Sequence, residues 1–179
     1  IPSNTGLGTS GSFTVALLAA LHAFLSSDIP PRKQIAEQAC HIAMNLLQEP
    51  SGKQDEYIAA FGGLTFFEAN KNGDVAIAPL YPKIFSPEVV GKLENNLLMF
   101  YTGIRRESGP VLKTQAQAVE NLHRVKEIGR EIKAALIDDD LSRFGKLLDL
   151  HWQEKIKRTG TSDPQLNHWY EIAKENGAL

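Results

Sequence analysis

Pro2-Ser-Asn-Thr-Gly6-Leu7-Gly8-Thr9-Ser10-Gly11-Ser12, which runs directly into the apolar stretch Phe13–Leu25, decides how this chain is read. Glycines let a backbone approach an anion closely, and the free N–H groups and dipole of a helix N-terminus favour phosphate. Thr9, Ser10 and Ser12 add hydroxyls able to meet phosphate oxygens or a Mg²⁺. The stretch is thus a phosphate cradle by its chemistry. The plainer alternative is a glycine-rich turn with a serine cap on a core helix. Segment Gly11–Leu25 is apolar nearly all round and is expected to form a buried helix.

Two other phosphate motifs do not fit. No Lys follows Gly11, so the Gly-x-x-x-x-Gly-Lys-Ser/Thr loop is absent. Gly6-x-Gly8-x-x-Gly11 matches the dinucleotide fingerprint, but that fold needs a second strand after the helix, ending in an acid. Here Asp28 sits in a turn and Pro30-Pro31 opens another helix.

Composition narrows the function classes. Of 179 residues, 42% are hydrophobic, enough for a packed core. Net charge is -2, with no Lys/Arg run, which argues against a nucleic-acid partner. The single Cys40 excludes an internal disulfide, and with no ligand set around it a reducing, cytoplasmic setting is expected. The 13 residues Phe13–Leu25 are too few for a membrane span, so no membrane partner is expected. With no basic leader and no initiator Met, the start reads as a cut inside a domain.

Further along, Ile35, Ala39, Ile42 and Leu46 recur at helical spacing until Pro50-Ser51-Gly52. Gln54–Phe61 is a short element closed by Gly62-Gly63. Leu64–Glu68 and Val75–Leu80 read as strands around the hairpin signal Asn70–Gly73, and Leu97–Tyr101 as a third. Ser86-Pro87-Glu88 starts a short helix. Long helices come next, from Pro110 to about Ile137, from Leu141 to about Arg158, and from Ser162-Asp163-Pro164 to the cap pair Asn176-Gly177. The class is α+β, helix-rich, with an antiparallel or mixed sheet. Three strands under this much helix imply that strands are missing at both ends.

Gly52-Lys53-Gln54-Asp55-Glu56-Tyr57 is the second informative stretch. A carboxylate before a glycine pair suits a general base for a substrate hydroxyl, which phosphoryl transfer requires besides positioning and charge stabilisation. Lys53 could keep Asp55 ionised or stabilise the transferred phosphate. Equally, Asp55 and Glu56 suit an ordinary helix start.

Taken together, these motifs resemble the GHMP kinases. Pro2-x-x-x-Gly6-Leu7-Gly8-Thr9-Ser10-Gly11-Ser12 is similar to their phosphate loop, with Thr9 where Ser is usual. Gly52–Glu56 matches the Gly-x-x-Asp-Gln segment of the sugar-specific members, with Glu56 in place of Gln. The runs Thr5–Val15, Gly52–Gly63 and Phe100–Arg106 resemble the D-glycero-D-manno-heptose 7-phosphate kinases in particular. The resemblance implies a two-domain fold with the active site between the domains, of which residues 1–80 would belong to the N-terminal ATP-binding part and 81–179 to the C-terminal part. It also implies that the backbone of Gly6, Leu7, Gly8, Thr9, Ser10, Gly11 and Ser12 holds ATP, that Ser10 approaches Mg²⁺, and that Asp55, with Lys53 beside it, serves catalysis. Gly62, Gly63, Thr102 and Arg106 would lie near a sugar or sugar-phosphate substrate. An unphosphorylated sugar, or a non-catalytic binding role, are the alternatives. One departure bears on the metal: twelve residues before the catalytic Asp the relatives usually carry a Glu, and here Ala43 stands there. The five histidines show no ligand spacing, and Asp138-Asp139-Asp140 reads as a solvated turn.

Overall fold

The computed structural model describes residues 7–26, 28–82, 84–103, 119–157 and 163–179. They divide into two compact units, one within Ile1–Lys83 plus Gly103, the other within Ile84–Thr102 and Pro110–Leu179.

Among its described residues the first unit packs three α-helices and a hairpin. Helix α1 spans Thr9–Ser26, α2 Arg32–His41 and α3 Gln54–Phe61. Strands β1 (Thr65–Ala69) and β2 (Val75–Pro79) pair antiparallel, with Phe67 opposite Ile77. Their turn is the one read from sequence: Gly73 has φ +85°, and Asn72 accepts from the Asp74 N–H at 3.0 Å. Ala36 and Ala39, both fully buried, are small enough for α2 to lie close to its neighbours. Val15, Ile35 and Ala39 form one cluster, and Ala36, Cys40, Tyr57 and Val75 a second. Tyr57 meets Phe67 edge-on at 5.7 Å, a pairing worth ~0.5–1.5 kcal/mol beyond its area.

Three expectations are corrected here. The first helix is not buried all round: Val15 is inside, but Phe13, Leu17, Leu21, Phe24 and Leu25 are exposed. It is also longer than its apolar run. Eighteen residues of mean hydropathy 1.4 could by length and composition cross a bilayer, yet Val15, Leu18 and Ala19 pack on α2 and α3 as a core helix does. The second helix stops earlier than Pro50: α2 passes into a π-helical turn, Ile42–Leu46, and Gln48 at φ +54° ends it. Leu97–Tyr101 forms no strand. A strand needs a neighbouring backbone, and among the described residues β1 and β2 pair only with each other.

The second unit is helical. It holds α4 (Pro87–Asn95), α5 (Val119–Ile137), α6 (Leu141–Ile156) and α7 (Pro164–Glu175). The helix starts expected at Ser86 and Asp163 are capped, and Asp140 caps a third. Ser86 accepts from the Val89 N–H, Asp140 from Arg143 and Asp163 from Gln165, each cap worth ~1 kcal/mol. Ile128, Ala135 and Leu147 fill the α5–α6 seam. Tyr170 of α7 donates to Asp149 of α6, which Lys174 approaches at 3.3 Å. The start of the expected helix from Pro110 lies outside the described residues.

Candidate active site

The first turn of α1 lies against the first turn of α3. Gly8 has φ +64°, which favours glycine, and a Cβ there would stand 3.5 Å from Asp55 Cγ and 3.6 Å from Oδ2. At Gly11 a Cβ would come within 3.1 Å of the Asp55 carbonyl carbon, 3.2 Å of Asp55 Cβ and 3.2 Å of Glu56 N. Gly11 is therefore what allows this close apposition, whereas a Cβ at Gly8 would make ordinary contact with Asp55 and glycine there suits the positive φ. The two stretches that carry the sequence argument, 41 residues apart from Gly11 to Gly52, meet at this point.

The Ser12 N–H donates to the Gly8 carbonyl at 3.0 Å, as the first bond of the helical ladder. The N–H groups of Thr9, Ser10 and Gly11 precede that ladder and point out of the helix end. Ser10 and Ser12 are exposed and Thr9 is half-buried. Asp55 is exposed at the mouth of the apposition, and no hydrogen bond or ion pair holds its carboxylate among the described residues. A carboxylate in that state is free to accept a proton from, or orient, an incoming hydroxyl.

The neighbouring Glu56 is its opposite. Its side chain is 5% exposed and its Oε2 has no hydrogen-bond partner. Burial pushes its carboxyl above the ordinary range, and the charges of Asp55 and Glu49 push the same way, against a backbone hydrogen bond. From the sequence, Glu56 is read only as an acid suited to a helix start, with no part in catalysis or binding. Its sequence signal was the departure from the usual Gln.

Lys53 differs from expectation. Its ammonium sits 2.8 Å from both Glu37 oxygens and 2.8 Å from the Gly73 carbonyl, so it ties α3 to α2 and the hairpin rather than facing Asp55. Tyr57 also donates to Glu37. Burial raises the Glu37 carboxyl, but the Lys53 and Tyr57 hydrogen bonds outweigh that and hold it below the usual range.

Two of the remaining expected residues lie away from Asp55. Gly62 and Gly63, at φ +67° and +63°, turn the chain from α3 into β1. They stand at the far end of α3 from Asp55, about 10 Å along the axis at 1.5 Å per residue. Their positive φ is a sufficient reason for glycine. Leu7 is exposed at the loop edge, and Thr102 belongs to the other unit. Gly6 and Arg106 lie outside the described residues. A groove of about 510 Å³ between α3 and the hairpin is lined by Lys53, Gln54, Tyr57 and Phe67, without Asp55. Ala43 is 8% exposed, inside the π-helical turn.

The donor set fits a magnesium nucleotide. An exposed serine hydroxyl and unladdered N–H groups suit phosphate oxygens, and among the described residues no three His, Cys, Asp or Glu side chains gather as a metal cage. Mg²⁺ keeps waters and phosphate oxygens as ligands and needs few protein donors.

Several known proteins are similar to this chain. Residues 1–63 match the family described as GHMP kinases N terminal domain. The chain is 29% identical to the D-glycero-alpha-D-manno-heptose 7-phosphate kinase of Campylobacter jejuni, over 99% of this chain and 53% of that protein. It is 22% identical to the bifunctional fucokinase/GDP-fucose pyrophosphorylase of Arabidopsis thaliana, over 86% of this chain and 15% of that protein. The crystal structure of a D-glycero-D-manno-heptose 1-phosphate kinase from Bacteroides thetaiotaomicron superposes with TM-score 0.72 at 28% identity, covering 89% of this chain and 47% of the other. The chain thus spans about half the length of the heptose kinases it matches.

Proposed function

We propose that this chain, whose residues 1–63 match the family described as GHMP kinases N terminal domain and whose α+β fold is like that of a solved heptose kinase, is part of an ATP-dependent kinase that phosphorylates a hydroxyl of a sugar phosphate. The observation that carries the reading is the Asp55 carboxylate beside Gly8, unbonded and exposed, where an acceptor hydroxyl would meet a phosphate.

The N–H groups of Thr9, Ser10 and Gly11 and the hydroxyls of Ser10 and Ser12 would hold the nucleotide phosphates, and Ser10 would face Mg²⁺. When bound, Mg²⁺ neutralises charge on the phosphates being parted. Asp55 orients the sugar hydroxyl and takes its proton as the oxygen attacks. Lys53 supports the helix that bears Asp55 and contributes no charge to the transfer.

Heptose phosphate is the substrate class favoured by the run Gly52–Gly63 and by the names of two relatives, one a 7-phosphate and one a 1-phosphate kinase. We take the 7-phosphate as the acceptor. The fucokinase relative supports the second reading, an unphosphorylated sugar. Nucleotide-dependent ADP release by the full protein, measured on heptose 7-phosphate, heptose 1-phosphate, fucose and galactose, decides between them. The highest kcat/KM is expected on heptose 7-phosphate. Preference for a free sugar overturns the substrate assignment. ATP binding without turnover on any sugar overturns the enzyme in favour of a binding protein.

A further inference from the structure

Glu56 takes no part in the transfer just described, yet it is the one buried charged side chain among the described residues. Its Oε2 accepts from nothing. Its peptide nitrogen lies 3.2 Å from where a Gly11 Cβ would be, so α3 at this residue rests directly on the turn that opens α1. Titratable groups face it from several elements. Asp55 of α3, Glu49 after the π-helical turn and Cys40 of α2 interact with it electrostatically. The only titratable side chain of α1 is His22, which is engaged by Gln38. Glu37 of α2 is engaged by Lys53 and Tyr57. Among the described residues no cation therefore balances Glu56, and both carboxylates that act on it share its sign.

We propose that occupation of the Leu7–Ser12 turn by a polyanion is coupled to uptake of a proton at Glu56. The coupling rests on the phosphate-binding reading of that loop. Phosphates added next to the turn on which α3 rests at Glu56 increase the repulsion on its ionised form by whatever negative charge the loop N–H groups and Mg²⁺ leave unneutralised, and no cation pairs with Glu56 among the described residues. Solvent supplies the proton, which adds to the free oxygen Oε2 and turns an orphaned acceptor into a neutral carboxylic acid. By reciprocity, protonation of Glu56 tightens phosphate binding by the same factor.

The test is calorimetric titration of the full protein with ATP, in buffers of different ionisation enthalpy and across a pH series. Wild type is expected to take up a fraction of a proton beyond that of ATP itself, with a maximum at one pH and none well above or below it. Glu56→Gln, near-isosteric and neutral, should bind ATP and lose this extra uptake, and Glu56→Leu should do the same. Asp55→Asn should retain it. Loss of uptake in Asp55→Asn but not in Glu56→Gln overturns the assignment to Glu56. Equal uptake in wild type and Glu56→Gln overturns the coupling while leaving the loop a phosphate site. Absence of any ATP binding in wild type overturns the loop reading and this inference together.

Discussion

Asp55 and Glu56 are consecutive acids with opposite fates, and the cause is geometric. One residue along an α-helix turns the side chain by about 100°. Asp55 emerges beside Gly8, and Glu56 is carried into the packed face with Tyr57. Asp55→Asn keeps the size and removes the base. It is expected to lower turnover at least about a hundredfold with ATP affinity within a few-fold, as measured by steady-state kinetics and equilibrium titration. If Asp55 served only as a helix-start acid, both quantities would hold near wild type. Gly11→Ala tests the apposition itself. Its Cβ would press on backbone atoms at 3.1 and 3.2 Å, an overpacking that costs ~1–3 kcal/mol in urea unfolding. Turnover should fall with it, because Asp55 rides on the displaced turn. Sequence made Asp55 and the loop visible because each motif has a distinctive chemistry. It could not show that Lys53 is engaged: the partner Glu37 lies 16 residues away and reaches it only through the packing of α2 on α3.

At the scale of elements, legibility tracked local cause. Caps, the Asn70–Gly73 turn and the Asp138–Asp140 break are set by residues within a few positions, and they form where the sequence puts them. Features that depend on distant partners did not. Leu97–Tyr101 has the composition of a strand but, among the described residues, no backbone to pair with. The apolar face of α1 predicts burial only if something covers it, and Phe24 is 85% exposed. The π-helical turn is the subtler case. It admits one extra residue per turn and so rotates the downstream chain relative to a plain α-helix. A twelve-residue count back from Asp55 cannot register that rotation. It lands on Ala43, which is buried and unsuited to a magnesium-facing carboxylate. Ala43→Glu should therefore destabilise the fold by ~2 kcal/mol or more, the cost of forcing an unpaired charge inside. A lower Mg²⁺ requirement in that variant, with stability intact, would restore the spacing argument.

Across the whole molecule, opposed carboxylates shape the response to pH. Asp149 is held low, chiefly by the Tyr170 hydroxyl and, against the opposing effect of burial, by Gln153 and Lys174. Tyr170 is correspondingly pushed up to about 12, by burial and then by Asp149. A depressed carboxyl stabilises the fold above its unfolded pKa, and that stabilisation is lost as pH falls through its folded pKa. Tyr170→Phe should then cost ~0.5–1.5 kcal/mol at neutral pH, and the deficit should shrink in acid as Asp149 protonates. Glu56 has the reverse sign. Its carboxyl is raised, so its contribution is complete below the unfolded pKa and is lost as pH rises through the folded one. Glu56→Gln should accordingly gain stability relative to wild type at neutral pH and lose that advantage in acid. Glu56 belongs to one unit and Asp149 and Tyr170 to the other, and the groups that shift each carboxyl lie within its own unit. Their effects are therefore expected to add within about 0.5 kcal/mol in the double variant. Urea unfolding of the four proteins at neutral and acid pH measures both signs and the sum. If Glu56→Gln instead proves less stable than wild type at neutral pH, the ionised carboxylate has a partner there, and its burial without compensation is wrong.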